Sequence, residues 1–484
     1  MESMERTFDV VVAGCGVAGL SAAVAASERG LQVAVLERAS RADRGGQSRY
    51  TEAYLRMKAI DQVSDDFETH LAENAGVYMD PDFEAEMAQG RESWSHAART
   101  LPVLDPELIS CFADHVPETI AWLQGMGVKF DFLPTQFLTK TQPRLLPVGG
   151  GEALVEALAA KAESLGVTFL YHTTARRLIV DDNGTVQGLL AHHAQEGGLR
   201  LMGKVVLACG GFEGNSALMA KYIGPRSVYL RPVCKGGYFN RGEGIEMAFE
   251  AGAAPSGEFG SYHAEPVDPR SGVSEPSIFI FPYGVLVNKA GQRFTDEAPG
   301  TVDAYYERVT RRIYEQEQGI AYVILDQRVK DVPNYRLAIR TDQPAIEADT
   351  LTALAAKIGL PEGALEATVE GYNAACPAED GFKPLELDGL ATQGLAPRKS
   401  HWSRRIEQGP FIAYPIISSN VFTFGGLKIN PSGQVLDTDG NPMENLYAAG
   451  EIVGTYYTNY TGATSVLKGL VFGRRSGNHI ADAR

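Results

Sequence analysis

The chain has 484 residues, 44% of them hydrophobic and 21% charged, with a formal net charge of −16. That length exceeds one ordinary core and predicts two domains, and the composition excludes a disordered or fibrous chain. The acidic balance argues against nucleic acid or an anionic membrane surface as partner, although a site's local field can still suit an anionic substrate. No apolar run approaches the roughly 18 residues of a membrane span. Met1 to Glu5 lead into a strand by Phe8, which leaves no room for a secretion signal. Five widely spaced cysteines without a C-x-x-C pair argue against iron–sulfur, c-type haem or structural zinc modules and predict a reduced cytoplasm.

In chain order, an apolar strand from Phe8 to Ala13 runs into Gly14-Cys15-Gly16-Val17-Ala18-Gly19, followed by a helix over Leu20 to Arg29 and a second strand over Gln32 to Leu36. Glu37 closes that strand, 23 residues after Gly14, near the spacing of about 20 expected for an acid on ribose hydroxyls. Gly14 permits the tight turn, Gly16 admits a pyrophosphate, and Gly19 lets helix and strand pack closely. The unpaired N–H groups of the helix N-terminus face the phosphates. Strand, turn, helix and acid together predict an ADP-containing cofactor.

Further along, Gly45-Gly46-Gln47-Ser48 suggests backbone pressed against a flat ligand. A mainly helical stretch spans Phe67 to Leu145, with an amphipathic segment from Pro106 to Met126. Gly149-Gly150-Gly151 starts a helix over Glu152 to Leu165. A meander of strands (Val167 to Tyr171, Ala175 to Asp181, Val186 to His192, Arg200 to Ala208) returns to the main sheet and ends in Cys209-Gly210-Gly211-Phe212. A helix reaching Ala251 follows Asn240 to Gly244. Residues 258–421 change texture, with most of the long polar helices, a strand over Ser277 to Asn288 and Pro-rich loops, and read as an inserted second domain. Glycine-punctuated strands resume at Thr423, and a helix from Ser465 to Asp482 closes the chain.

These residues resemble the fumarate reductase/succinate dehydrogenase flavoprotein family, and within it most closely the tricarballylate dehydrogenase branch. The resemblance covers nearly the whole chain. It rests on the N-terminal fingerprint, Gly45 to Ser48, Gly149 to Leu154, Val206 to Phe212, Gly291-Gln292-Arg293-Phe294 and Leu446-Tyr447-Ala448-Ala449-Gly450-Glu451. It implies an α/β fold: a discontinuous Rossmann-like FAD-binding domain (1–257 and 422–484) with an inserted α+β capping domain (258–421). It also implies hydride transfer between FAD and a carbon pair. By the same resemblance Gly14, Gly16 and Gly19 would hold the pyrophosphate, and Glu37 the adenosine ribose. Ala175 would meet the adenine, and Gly46, Gln47 and Ser48 the isoalloxazine. Glu451 would lie at the ribityl chain, and Ser465 and Val466 would place N–H groups at the flavin N1/C2 carbonyl. Ala18, Arg38, Gly45, Gly149, Gly150, Ala208, Cys209, Gly210, Asn215 and Gly450 complete the implied cofactor set. The family's flavin-linking histidine is missing from Gly45 to Thr51, so the FAD is expected to be non-covalent.

The chain departs from fumarate-active relatives at two substrate clamps. A histidine position before T-x-G-G is Phe422, and the arginine of N-R-x-G-G is Tyr460. Losing a bidentate arginine is no conservative change, so fumarate and succinate are poor substrates. The family's proton-transfer arginine follows an R-F-x-x-E segment, here Arg293 to Glu297, which points to Arg328 first and Lys330 second. His263 falls near a family substrate histidine. Tyr456, Tyr457 and Tyr460 surround the flavin edge and are placed to polarise a ketone or move a proton. Arg144, Arg231 and Arg241 are alternative carboxylate binders. The expected activity is an FAD-dependent dehydrogenase that forms a C=C bond beside a carboxylate or ketone. A tricarballylate-like acid is the leading substrate class, and a cyclic or steroid-like ketone is the alternative. A third reading is an FAD electron-transfer subunit that needs a redox partner. The electron acceptor stays open between a partner protein and oxygen, and no metal site is expected.

Overall fold

The computed structural model describes residues 4–74 and 79–483. Met1 to Ser3, and 75–78 of the expected helical stretch, lie outside them. Strand β1 (Met4–Ala13) leads into helix α1 (Val17–Glu28) and strand β2 (Val33–Leu36). Helix α2 (Pro106–Gly125) follows, capped by the Asp105 carboxylate, which accepts from the Glu107 N–H at 2.9 Å. Next come helix α3 (Gly150–Ser164) and strands β3 (Thr168–Leu170), β4 (Thr173–Val180), β5 (Val186–His193) and β6 (Gly197–Leu207). β6, β1, β2 and β3 pair in parallel in that order, and β4 and β5 form an antiparallel extension on β6. Covered on both faces, β1 and β2 read as continuous apolar runs, and Val10, Val11 and Val12 are fully buried. Each contributes about 1.5–3 kcal/mol.

The second sheet is built from β7 (Tyr262–Val267), β8 (Val285–Val287), β9 (Ile320–Leu325), β10 (Ile346–Ala348) and the long β11 (Phe411–Thr423). β11 pairs with β7, β9 and β10, and also with the two-residue strand Arg231–Pro232. Helix α4 (Val302–Tyr314) packs on this sheet. The strand expected over Ser277 to Asn288 shrinks to β8, because Pro282 sits in a 3-10 turn, Phe281–Tyr283, and has no N–H to pair. The longest helices also lie outside this region. α2, α3 and the closing helix exceed α4's 13 residues, contrary to the expected concentration in 258–421.

The chain returns to the first sheet through β12 (Gln434–Leu436) and β13 (Pro442–Ala448), which pairs in parallel with β6. Helix α5 (Ser465–Asp482) then crosses α1. Gly469, Gly473 and Gly477 form the contact. A Cβ on Gly473 would collide with the Ala18 carbonyl, and one on Gly477 with the Ala22 carbonyl. That crossing fixes the N-terminus of α5 beside the turn between β1 and α1. No helix among the described residues is long and apolar enough to cross a membrane.

Candidate active site

Two adjoining cavities lie where the two sheets meet. The first has about 1320 Å³ of free volume including its open mouth. At its floor Gly14 (φ +110°) turns the chain and donates to the Leu36 carbonyl at 2.9 Å. A Cβ there would strike the Ala208 carbonyl, and one on Gly19 would strike the Gly14 carbonyl. Helix α1 begins at Gly16, which has no side chain to cap it. Of the Val17, Ala18 and Gly19 N–H groups only the first finds an acceptor among the described residues, Ser48 Oγ at 3.3 Å, so the helix's positive end faces the cavity. Glu37 is buried at the end of β2 and accepts from the Ala39 N–H at 2.8 Å. Burial pushes its carboxyl above the usual range. Arg38 pairs with Glu243 at 2.7 Å.

Nearly all the sequence-predicted cofactor residues line this one cavity. They are Gly14, Gly16, Ala18, Glu37 and Arg38 from the first unit; Gly45 to Ser48; Ala175; Ala208 to Gly210; Gly450 and Glu451; and Ser465 and Val466. Gly19 serves the packing role predicted for it. Three residues fall elsewhere. Gly149 and Gly150 open α3 in left-handed conformation behind Gly46 to Ser48, and a Cβ on the following Gly151 would strike the Ser48 carbonyl. Asn215 caps a short helix, accepting from Ala217 and Leu218 N–H and donating to the Arg241 carbonyl. These positions support the cradle's walls without lining it. The Ser465 N–H, assigned to a flavin carbonyl, donates to the Tyr460 hydroxyl at 3.1 Å.

The sequence reading missed two charged groups. Glu213, next after the Gly210-Gly211-Phe212 motif, lies buried against Glu451. Asn240 Nδ2 donates to both, at 2.6 and 3.1 Å. Burial and then the charge of Glu451 raise Glu213 well above the carboxylic range, so it keeps a proton to share with Glu451. Lys468, one turn into α5, is 2% exposed and lines the same cavity. It donates to the Val453 carbonyl and Thr455 hydroxyl, and burial pushes its ammonium down to about 7.

The second cavity, about 630 Å³, shares Thr51, Glu275, Val421, Phe422, Ser465 and Val466 with the first. It brings together His263, Tyr460 and Arg144 with Tyr54, Phe137 and Tyr306, none of the last three foreseen. Arg144 pairs with Asp303 at 3.5 Å, both side chains buried. His263 Nδ1 lies 3.0 Å from Glu307 Oε2, and its ring packs 4.4 Å from that of Tyr460. Glu265 and Glu275 are buried here as well, and burial, the larger cause, raises both. The Tyr460 oxygen accepts from Thr464 and Ser465 N–H and donates to Ser465 Oγ at 3.0 Å. Tyr456 lines the first cavity instead. Burial raises its hydroxyl well above the usual value, and it bonds Thr464 at 2.9 Å.

Arg328 lines neither cavity, which corrects its expected proton-transfer role. It sits in a turn after β9, tied to Asp326 at 3.1 Å, to Glu379 at 3.0 Å and to the Arg405 carbonyl. Lys330 beside it is exposed. The capping elements that face the cavity are α4, through Asp303 and Tyr306, and β7, through His263 and Glu265. Arg231 and Arg241 also lie off the second cavity, which leaves Arg144 of the three alternatives.

A family model described as "FAD binding domain" matches residues 9–467. The vinyl phenol reductase of Lactiplantibacillus plantarum is 27% identical over 98% of this chain and 96% of that protein. The 4-oxocyclohexanecarboxylate 2-dehydrogenase of Sinomonas cyclohexanicum is 27% identical over 98% of this chain and 93% of its own. The open conformation of a flavocytochrome c3 fumarate reductase superposes with a TM-score of 0.73 over 99% of this chain and 78% of that one. At 23% identity that match speaks to the fold, an FAD-binding domain with a capping domain. A glycine-walled cradle with a buried acid at one end and a helix N-terminus at the other fits FAD, and the chain belongs to the FAD-binding fumarate reductase/succinate dehydrogenase flavoproteins, oxidoreductases that act on CH–CH bonds.

Proposed function

We propose that the enzyme interconverts C–C and C=C bonds beside the oxygen-bearing carbon of an uncharged ring, a cyclic ketone or its enone. The observation that carries this reading is the charge balance of the second cavity. Arg144, which lines it, is paired with Asp303, the His263 ring faces the Glu307 carboxylate, and Glu265 and Glu275 add buried carboxyls. The clamp positions hold Phe422 and Tyr460. A tricarballylate-like acid would bring three carboxylates into that field. With Arg144 already paired to Asp303, no unpaired arginine or lysine lines the cavity among the described residues to offset the desolvation of those carboxylates, a cost of several kcal/mol per ion. A neutral ring meets Phe137, Phe422 and the hydroxyls of Tyr54, Tyr306 and Tyr460 instead.

Bound FAD supplies the two-electron hydride acceptor or donor. Phe137 and Phe422 exclude water from the cavity, and the Tyr460 ring, held by its hydroxyl against the N-terminus of α5, forms a rigid wall against which the substrate ring is positioned. No histidine lines the flavin cavity among the described residues, which supports dissociable FAD. Five free thiols support a reducing cytoplasm, with the electron acceptor a partner protein or oxygen.

Anaerobic mixing of the flavin-loaded protein with cyclohexanone-type ketones should bleach absorbance near 450 nm, and tricarballylate and succinate should not. Bleaching by tricarballylate alone would overturn the reading, and no bleaching until a redox protein is added would favour the electron-transfer subunit. Arg328→Ala should leave the bleaching rate within about twofold of wild type, because its charge is consumed by Asp326 and Glu379 outside the site. A large rate loss at full flavin content would restore Arg328 to the mechanism.

A further inference from the structure

Three side chains stand in line beside the second cavity. Glu307 Oε2 lies 3.0 Å from His263 Nδ1, and His263 Nε2 lies 3.1 Å from the Tyr306 hydroxyl. Glu307 and Tyr306 are successive residues of α4, and His263 reaches them from β7, so one imidazole bridges a helix and a strand. Burial alone would raise the Glu307 carboxyl, but His263 and Arg311 outweigh it and hold Glu307 below its usual range. An ionised carboxylate only accepts, so in the neutral ring Nδ1 carries the hydrogen and Nε2 is left as acceptor for the Tyr306 O–H. The arrangement is carboxylate, imidazole, hydroxyl, in the order that activates a hydroxyl for proton transfer. Tyr306 lines the cavity.

We propose that Tyr306 is the catalytic proton carrier of this enzyme, with His263 and Glu307 as the residues that position and recharge it. The proposal rests on the ketone reading for its substrate. In the desaturating direction the α-carbon proton passes to Tyr306 as the Tyr306 proton passes to His263 Nε2. The α C–H electron pair becomes the new C=C bond while the β-carbon loses hydride to bound FAD. The imidazolium, paired with Glu307, then releases its proton to solvent. In reverse, Tyr306 protonates the α-carbon and is recharged by His263.

No other tyrosine lining the two cavities among the described residues faces an imidazole acceptor with its hydroxyl, and the Tyr54 hydroxyl donates straight to the Glu52 carboxylate on its own segment. The Tyr460 oxygen is committed to Thr464 and Ser465, and that of Tyr456 to Thr464. The charged and titratable groups facing Tyr306 are Glu265 from β7, Glu307 on its own helix, Arg144, Tyr460 and His263. Burial, followed by the two carboxyls, raises its hydroxyl well above the usual value, so it yields its proton only where His263 takes it.

The test uses dithionite-reduced holoenzyme mixed anaerobically with 2-cyclohexen-1-one or, separately, cis-aconitate, with flavin reoxidation followed in H2O and D2O across pH. For whichever oxidant serves the wild type, Tyr306→Phe should slow reoxidation about 100-fold or more. His263→Ala should do the same, and Glu307→Gln should slow it less while displacing the pH profile. All three should keep wild-type flavin content, and Tyr306→Phe, which removes only an oxygen, should also keep the wild-type melting temperature. Reoxidation of Tyr306→Phe within threefold of wild type would overturn the relay. Reoxidation by cis-aconitate alone would sink the ketone reading while the Tyr306→Phe ratio still decides the relay, and failure with both oxidants would overturn both.

Discussion

Gly16→Glu should yield colourless protein. Gly16 precedes the first turn of α1, where the backbone must come close to a pyrophosphate, and a Cβ there already meets Ser48 Oγ at 3.3 Å. A carboxylate in that gap adds like charge to the ligand's own. At about 4 Å and an effective dielectric of 20 the repulsion is roughly 4 kcal/mol, or about a thousandfold in affinity. The fold should survive, because Gly16 lines the cavity rather than the core. The check is absorbance near 450 nm per mole of protein, with circular dichroism as control. Full flavin occupancy would remove the dinucleotide turn from the cofactor site.

Glu297→Ala should be the most destabilising single change in the capping sheet, by about 3–5 kcal/mol. Glu297 is fully buried and takes two bonds from Arg293, at 2.8 and 2.7 Å, and one from the Leu286 N–H at 3.0 Å. Arg293 also donates to the Pro397 carbonyl. Removing the carboxylate strands a buried guanidinium and a strand N–H together. Replacing both partners, Arg293→Met with Glu297→Leu, should recover much of the loss, because the guanidinium leaves together with its carboxylate. Urea unfolding followed by intrinsic fluorescence measures both. A single variant as stable as wild type would mean that the R-F-x-x-E segment does not hold β8 in place.

The cofactor cradle was legible because its constraints are local. A tight turn, a close backbone approach and a helix start each demand glycine or a small residue at fixed spacing, and an acid must end the next strand. Gly14 to Glu37, Gly45 to Ser48 and Ala208 to Gly210 therefore lie on one cavity. The same logic placed Gly149 and Gly150 too near the ligand, since glycine also marks a helix start that packs against backbone. Glu213 and Lys468 escaped notice because nothing in a flanking motif tells a buried charge from a solvated one.

By itself the sequence determined a flavin-binding α/β domain interrupted by a second one, because those features are written in periodicity and glycine spacing. Tertiary structure alone decided the substrate side. Arg144, His263, Tyr306 and Tyr460 are separated by up to 316 positions and meet only because β7, α4 and the start of α5 converge on one cavity. It also decided against Arg328, which the linear order set near the expected position and the fold turned toward Asp326 and Glu379. Charge neutralisation acts over a few ångströms in space, and separation along the chain carries no record of it.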